Sequence, residues 1–233
     1  MRRRRNLPPA AGFVVKSGGL CNNPEGHLMK YRLFTLALAL LGAAANAADS
    51  EAGRHKAGAC LGCHGIPTYA NVYPSYHVPK LAGQHAAYIV AALKGYQSGE
   101  RGHPTMQAQT HRLSEGDMAD IAAFFSSLPS DTAGKRQSPR AALPQEQQQK
   151  LQVCVSCHGE DGNSPLPENP RIAGQYRDYL HRALLDYKEG RRKNAVMLGM
   201  IGLLDDRDME VFAAWFSSHK GLGVVNIGDA DDR

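Results

Sequence analysis

Two stretches of the chain have residue types and spacing that can do chemistry: Cys60-Leu61-Gly62-Cys63-His64 and Cys154-Val155-Ser156-Cys157-His158. Two thiols separated by two residues on a turn of helix can bond the two vinyl positions along one side of a porphyrin. The histidine that follows then lies beneath the iron and can supply its proximal nitrogen. Each C-x-x-C-H therefore predicts one covalently attached haem c. Cys60, Cys63 and His64 would hold the first, and Cys154, Cys157 and His158 the second. A redox C-x-x-C, or a zinc site on which both pairs converge, is the competing reading. Neither accounts for a histidine directly after both second cysteines.

An iron with one histidine needs a sixth ligand, or an open position if it is to do chemistry. An internal repeat helps to choose it. Pro79–Leu128 laid on Pro170–His219 at a constant offset of 91 gives 19 identities in 50 positions. A ligand needed by both irons should recur at that offset. His85, His103 and His111 pair with Tyr176, Asn194 and Gly202, and His77 falls in a three-residue length difference, so these histidines read as solvated or locally bonded. Two methionine pairs do recur: Met106 with Met197, and Met118 with Met209. Met118 and Met209 fall in the first turns of amphipathic helices, where methionine packs. Met106 and Met197 fall in a stretch that reads as irregular loop and can present a thioether to iron. The expected axial pairs are His64 with Met106 and His158 with Met197. In the second copy Met200 lies three residues further on and aligns with Gln109, which is no plausible haem ligand.

The elements that must position these residues are helical. In each copy a first helix (about 51–59 and 146–153) delivers the haem motif. A second covers 84–98 and 175–189. A third begins at Ser114 or Asp205, each followed by acids in its first turn. No run alternates with period two, so the fold class is all-α. Phe125 and Trp215 are expected to pack the third helix on the first. Arg191-Arg192-Lys193 reads equally as a solvated basic turn or as a patch facing haem propionates or an acidic partner.

Residues 1–47 read as leader. Met29-Lys30-Tyr31-Arg32 is a short positive region, Leu33 to Leu41 is almost wholly apolar, and Ala45-Asn46-Ala47 is a cleavage site. The stretch before Met29 resembles no useful leader, which points to translation from Met29. Cleavage would release the protein; retention of the apolar stretch would anchor it to the membrane. The leader holds seven of the 27 Lys+Arg and one of the 22 Asp+Glu, leaving 20 against 21 in the 186-residue mature chain. The apparent basicity of the full sequence is thus a leader property, and no nucleic-acid partner is expected. Residues 129–145, with three prolines, have linker composition. They divide the chain into a first domain at 48–128 and a second at 146–233. Each is too small to bury a generous core unaided, so a haem would form much of it.

At this point the pattern resembles a known family. Two C-x-x-C-H units, each followed by P-[KR]-[LI]-A-G-Q, a Tyr-rich helix, G-x-R and a methionine, are similar to the di-haem class I cytochromes of the cytochrome c4 type. His158-Gly159-Glu160-Asp161-Gly162-Asn163-Ser164-Pro165 is especially close. The resemblance spans nearly all of 48–220. It implies two tandem class I cytochrome c domains, each about three helices around a covalent haem. It also implies that the carbonyls of Pro79 and Pro170 accept the imidazole N–H of the proximal histidines. The function it implies is a periplasmic electron carrier, taking electrons from an upstream reductase or dehydrogenase towards a terminal oxidase, with no catalysis of its own. A cytochrome subunit of a dehydrogenase complex and a di-haem peroxidase are the alternatives. The first copy departs from the family where His64-Gly65-Ile66-Pro67-Thr68-Tyr69 replaces the H-G-x-D-G-N-S stretch.

Overall fold

Each copy builds a haem-motif helix, a crossing third helix and a Tyr-rich helix between them. The computed structural model describes residues 48–130 and 143–225. The expected leader at 1–47, most of the expected linker (131–142) and residues 226–233 lie outside the described residues. The first copy contains α1 (Ser50–Lys56), α2 (Gly58–His64), α3 (Ala86–Ser98), α4 (Pro104–Thr110) and α5 (Glu115–Ser127). The second contains α6 (Gln145–His158), α7 (Arg177–Lys188), α8 (Ala195–Ile201) and α9 (Asp206–Ser217). Among the described residues there is no strand, only isolated bridges. The fold is all-α, and both copies belong to one compact unit.

Local chemistry sets the helix ends. Ser114 and Asp205 each close a capping box with Asp117 and Asp208, which satisfies backbone donors at the starts of α5 and α9. α3 ends at Gly99, whose φ of 81° suits a residue without Cβ. Two boundaries differ from the sequence expectation. The first helix runs on through the haem motif to the histidine in both copies, and in the first copy it is interrupted at Ala57, before Gly58. The segment that read as irregular loop around Met106 and Met197 holds a seven-residue helix in each copy. These helices are too short to show a period. They are held by caps: His103 Nδ1 accepts from the Met106 N–H at 3.3 Å, and Asn194 Oδ1 from the Met197 N–H at 3.1 Å.

α1 crosses α5 so closely that a Cβ on Gly53 would lie 1.9 Å from the Asp120 carbonyl oxygen. The core of the first copy gathers Ile89, Leu93, Met118, Ile121, Phe124 and Phe125; that of the second gathers Leu151, Val155, Leu180, Phe212, Trp215 and Phe216. Met118 and Met209 are fully buried packing residues.

The haem-motif helix and the third helix are also joined by an ion pair that recurs with different burial. Lys56 reaches Asp117 at 2.8 Å and Asp120 at 2.6 Å, where the carboxylates keep some exposure. Lys150 reaches Asp208 at 2.6 Å, and Asp208 is fully buried and also accepts from Gln147. Breaking the second pair strands a buried carboxylate. Lys150→Met should therefore cost about 3 kcal/mol, and Lys56→Met about 1 kcal/mol or less, by denaturant unfolding. Burial pushes the Asp208 carboxyl up, but the bonds it accepts from Lys150, the Asp205 N–H and Gln147 together outweigh that, so its affinity for protons is below normal. The stabilisation is full above the ordinary carboxylate range and is lost as pH falls through and below about 4. The gap between the two variants should narrow over that range.

Candidate functional site

Because α2 and α6 continue to the end of each motif, the cysteine pair and the histidine share one helical turn. Each histidine is then fixed from outside its helix. His64 Nδ1 donates to the Pro79 carbonyl at 2.9 Å, and His158 Nδ1 donates to the Pro170 carbonyl at 2.9 Å. Those bonds place the proton on Nδ1 and leave Nε2 as a lone-pair donor. Burial lowers the proton affinity of both rings, against the pull of the carbonyls. Both are held neutral, the form that binds a metal.

Cys60, Cys63 and Cys154 are partly buried and Cys157 is exposed. Burial raises the Cys60 thiol and pushes that of Cys154 up to about 11. Among the described residues no three His, Cys, Asp or Glu side chains are placed to hold a metal ion together.

A cavity of about 530 Å³ is lined by Cys154, Cys157, His158, Pro170, Met197 and Met200, with apolar walls from Leu180, Leu184, Phe212 and Phe216. Paired thiols, an imidazole and thioethers around an apolar space are the donor set and surroundings that a covalent haem requires, and the residues fit it. Tyr88, Ala92 and Arg101 of the first copy complete the wall, so this site is built by both halves. In the first copy Cys60 and Met106 lie on one apolar cluster with Leu61, Leu81, Val90 and Leu113.

The other histidines have assignments of their own. His103 caps α4. His77 donates from its backbone and lies 2.7 Å from Asp178 through Nδ1, and its ring stacks on Tyr176. His85 Nε2 donates to the Ser164 carbonyl at 2.8 Å. The bonds of His77 and His85 cross between copies and are not local, a difference from the sequence expectation. Periodicity could not show this, because the partners are about a hundred residues or fewer away along the chain and adjacent only in space.

That contact between copies repeats itself as the sequence does. Gln84 Oε1 accepts from the Arg171 N–H at 2.9 Å while its Nε2 donates to the Arg171 carbonyl at 2.9 Å. Gln175 does the same to Lys80, at 2.9 and 3.0 Å. Lys80 Nζ donates to the Gly174 carbonyl at 2.6 Å, and the Arg171 guanidinium donates to that of Gly83. Gly83 and Gly174 have φ of 76° and 69°, which lets the chain turn and aim each glutamine across the contact. Further along, Arg101 lies over Tyr88 and Tyr96, and Arg192 over Tyr179 and Tyr187. The Gly102 N–H donates to the Arg191 carbonyl at 2.6 Å, and the Lys193 N–H to that of Glu100 at 3.0 Å. Arg192 is buried beside Asp186, and Arg191 Nε bonds Asp186 at 2.8 Å. The backbone of the basic triplet is thus part of the contact between copies, with Arg192 buried and Lys193 exposed. Gln84 with Gln175 and Arg101 with Arg192 were among the repeat's identities, which was the signal available for them.

No protein-family model matches the chain. Among characterised proteins, cytochrome c4 of Stutzerimonas stutzeri is 31% identical over 199 residues, covering 77% of this chain and 93% of its own length. The thiosulfate dehydrogenase electron acceptor of Stutzerimonas stutzeri strain A1501 is 30% identical over 200 residues, covering 78% and 92%. Among solved structures, Acidithiobacillus ferrooxidans cytochrome c4 superposes with a TM-score of 0.56 at 28% identity, over 70% of this chain and 99% of that one. The thiosulfate dehydrogenase TsdBA of Marichromatium purpuratum gives 0.58 at 26% identity, over 72% of this chain and 40% of its own.

Proposed function

The chain belongs to the cytochrome c4 family, and from that premise we propose that it is a periplasmic electron carrier with two covalent haems, serving redox protein partners on either side of it. The observation that carries the reading is the doubled site, a C-x-x-C-H on a helix end with its imidazole N–H held by a proline carbonyl. When bound, each haem supplies an iron that cycles between the ferrous and ferric states. The residues of the chain do the rest. Cys60, Cys63, Cys154 and Cys157 tether the macrocycles, and His64 and His158 are the proximal ligands, oriented by Pro79 and Pro170. Met106 and Met197 would supply the second ligand to each iron, and a thioether would raise the potential relative to a second histidine. A histidine and a methionine on each iron would leave no position open for substrate. That favours outer-sphere transfer over peroxidase chemistry. In this reading the domains span 48–128 and 146–233, with 129–145 as linker and 1–47 as an export leader. Among the described residues no helix is long and apolar enough to cross a membrane.

A spectroelectrochemical titration with an intact-mass measurement tests the reading. The mass should exceed the polypeptide by two haems, two redox waves should appear, and both ferric centres should show the sulfur-to-iron charge-transfer band. Haem that extracts into acidified organic solvent, or rapid turnover of peroxide, would overturn it. A second reading is a cytochrome subunit or electron acceptor of a dehydrogenase, supported by the likeness to the thiosulfate dehydrogenase electron acceptor and to TsdBA. Co-purification from native membranes separates them: a dehydrogenase partner selects the second, a terminal oxidase the first.

A further inference from the structure

The peptide unit between Pro79 and Lys80 has both of its polar groups engaged. Its carbonyl accepts from His64 Nδ1 at 2.9 Å, and its N–H donates to Oε1 of Gln175, in the other copy, at 2.9 Å. The peptide between Pro170 and Arg171 is held the same way, with His158 on its carbonyl and Gln84 of the first copy on its N–H. Both glutamines are 4% exposed. Each Oε1 also accepts from the next residue of its own chain, His85 or Tyr176, at 3.0 Å, and each Nε2 donates to the carbonyl beyond the shared peptide. The amide of each glutamine is thereby fixed in orientation by three bonds.

A hydrogen bond to a peptide N–H polarises that peptide and makes its carbonyl a better acceptor. A stronger acceptor on Nδ1 draws the imidazole towards imidazolate, raising its donor strength at Nε2 and favouring the ferric state. From the geometry we infer that Gln175 and Gln84 are positioning residues that set the proximal ligand of the opposite copy: Gln175 tunes the first haem through Pro79–Lys80 and His64, and Gln84 tunes the second through Pro170–Arg171 and His158. This rests on the proposed function, since it takes His64 and His158 as ligands. The crossed connection is what separates it from a general packing role. A side chain that only stiffened its own copy would act on its own haem.

The test uses the full mature holoprotein, first shown by mass and charge-transfer bands to carry both haems, so that a failure of the function reading is detected before the variants are compared. Gln175→Met, close in length and without an acceptor oxygen, should raise the potential of the first haem. The ratio of reduced to oxidised first haem at a fixed solution potential should rise roughly two- to fivefold. The titration is followed by NMR, which assigns each wave to its own histidine. The His64 Nδ1 proton should move upfield, while the second haem and His158 change much less. Gln84→Met should give the mirrored result. A shift confined to the haem of the substituted copy, equal shifts at both, or no shift at all would overturn the inference. A measurement without substitution guards against variants that fail to mature. In the unsubstituted reduced protein, a through-bond coupling should connect the Lys80 amide nitrogen to the Gln175 side-chain carbonyl carbon. Its absence would also overturn the inference.

Discussion

Changing His158 to alanine should yield a protein that carries a single haem, with the mass increment over the polypeptide halved and the first centre spectroscopically intact. The imidazole is buried, sits edge-on to Phe216 with centroids 6.5 Å apart, and supplies the donor for the Pro170 carbonyl. Its removal takes away the proximal nitrogen and leaves that carbonyl without its partner, a cost of about 1–3 kcal/mol by itself. The first site has its own pair, His64 with Pro79, and shares neither residue. Heterologous maturation followed by intact mass and a reduced-minus-oxidised spectrum reads the result. Loss of both haems would show that the two copies cannot mature separately. Retention of both would show that His158 is not a ligand.

Met197→Leu should remove the sulfur-to-iron charge-transfer band at the second centre alone and open it to carbon monoxide when reduced. Met200→Leu, close in volume, should keep both bands and cost less than about 1.5 kcal/mol. Proximity does not choose between these methionines, because both line the same cavity and lie on the same short helix. The choice comes from equivalence. Met106 and Met197 occupy one position of the repeat, and each has its backbone N–H capped by the side chain three residues before it, His103 or Asn194. Near-infrared spectra of the two ferric variants decide it. A band lost with Met200 and kept with Met197 would show that the two distal helices present different residues.

The sequence alone determined those features that depend on neighbours along the chain. Two C-x-x-C-H units state their chemistry by spacing, and capping at Ser114 and Asp205 is local chemistry that reads directly as helix starts. Amphipathic runs long enough to show a period placed the second and third helices of each copy. The short helices carrying Met106 and Met197 were not legible, because seven residues complete barely two turns and their stability lies in a cap and in packing.

Tertiary structure decided everything that joins the copies. His77 finds Asp178, His85 finds Ser164, and the backbones of Arg191 and Lys193 pair with Gly102 and Glu100, so segments that read as solvated belong to a contact. Asp208 read as a helix-start acid and is one, yet its full burial with Lys150 makes it the more consequential partner of a repeated ion pair. The identities of the Ala-Gly-Gln segments announced that the glutamines were equivalent, without saying what they touch. Hydrogen bonding across a contact depends on where two distant backbones meet, and a polar side chain carries no sign in its own sequence of whether its partner will be water or a peptide from the other copy. Only the folded chain places Gln84 and Gln175 on the peptides that hold the two histidines.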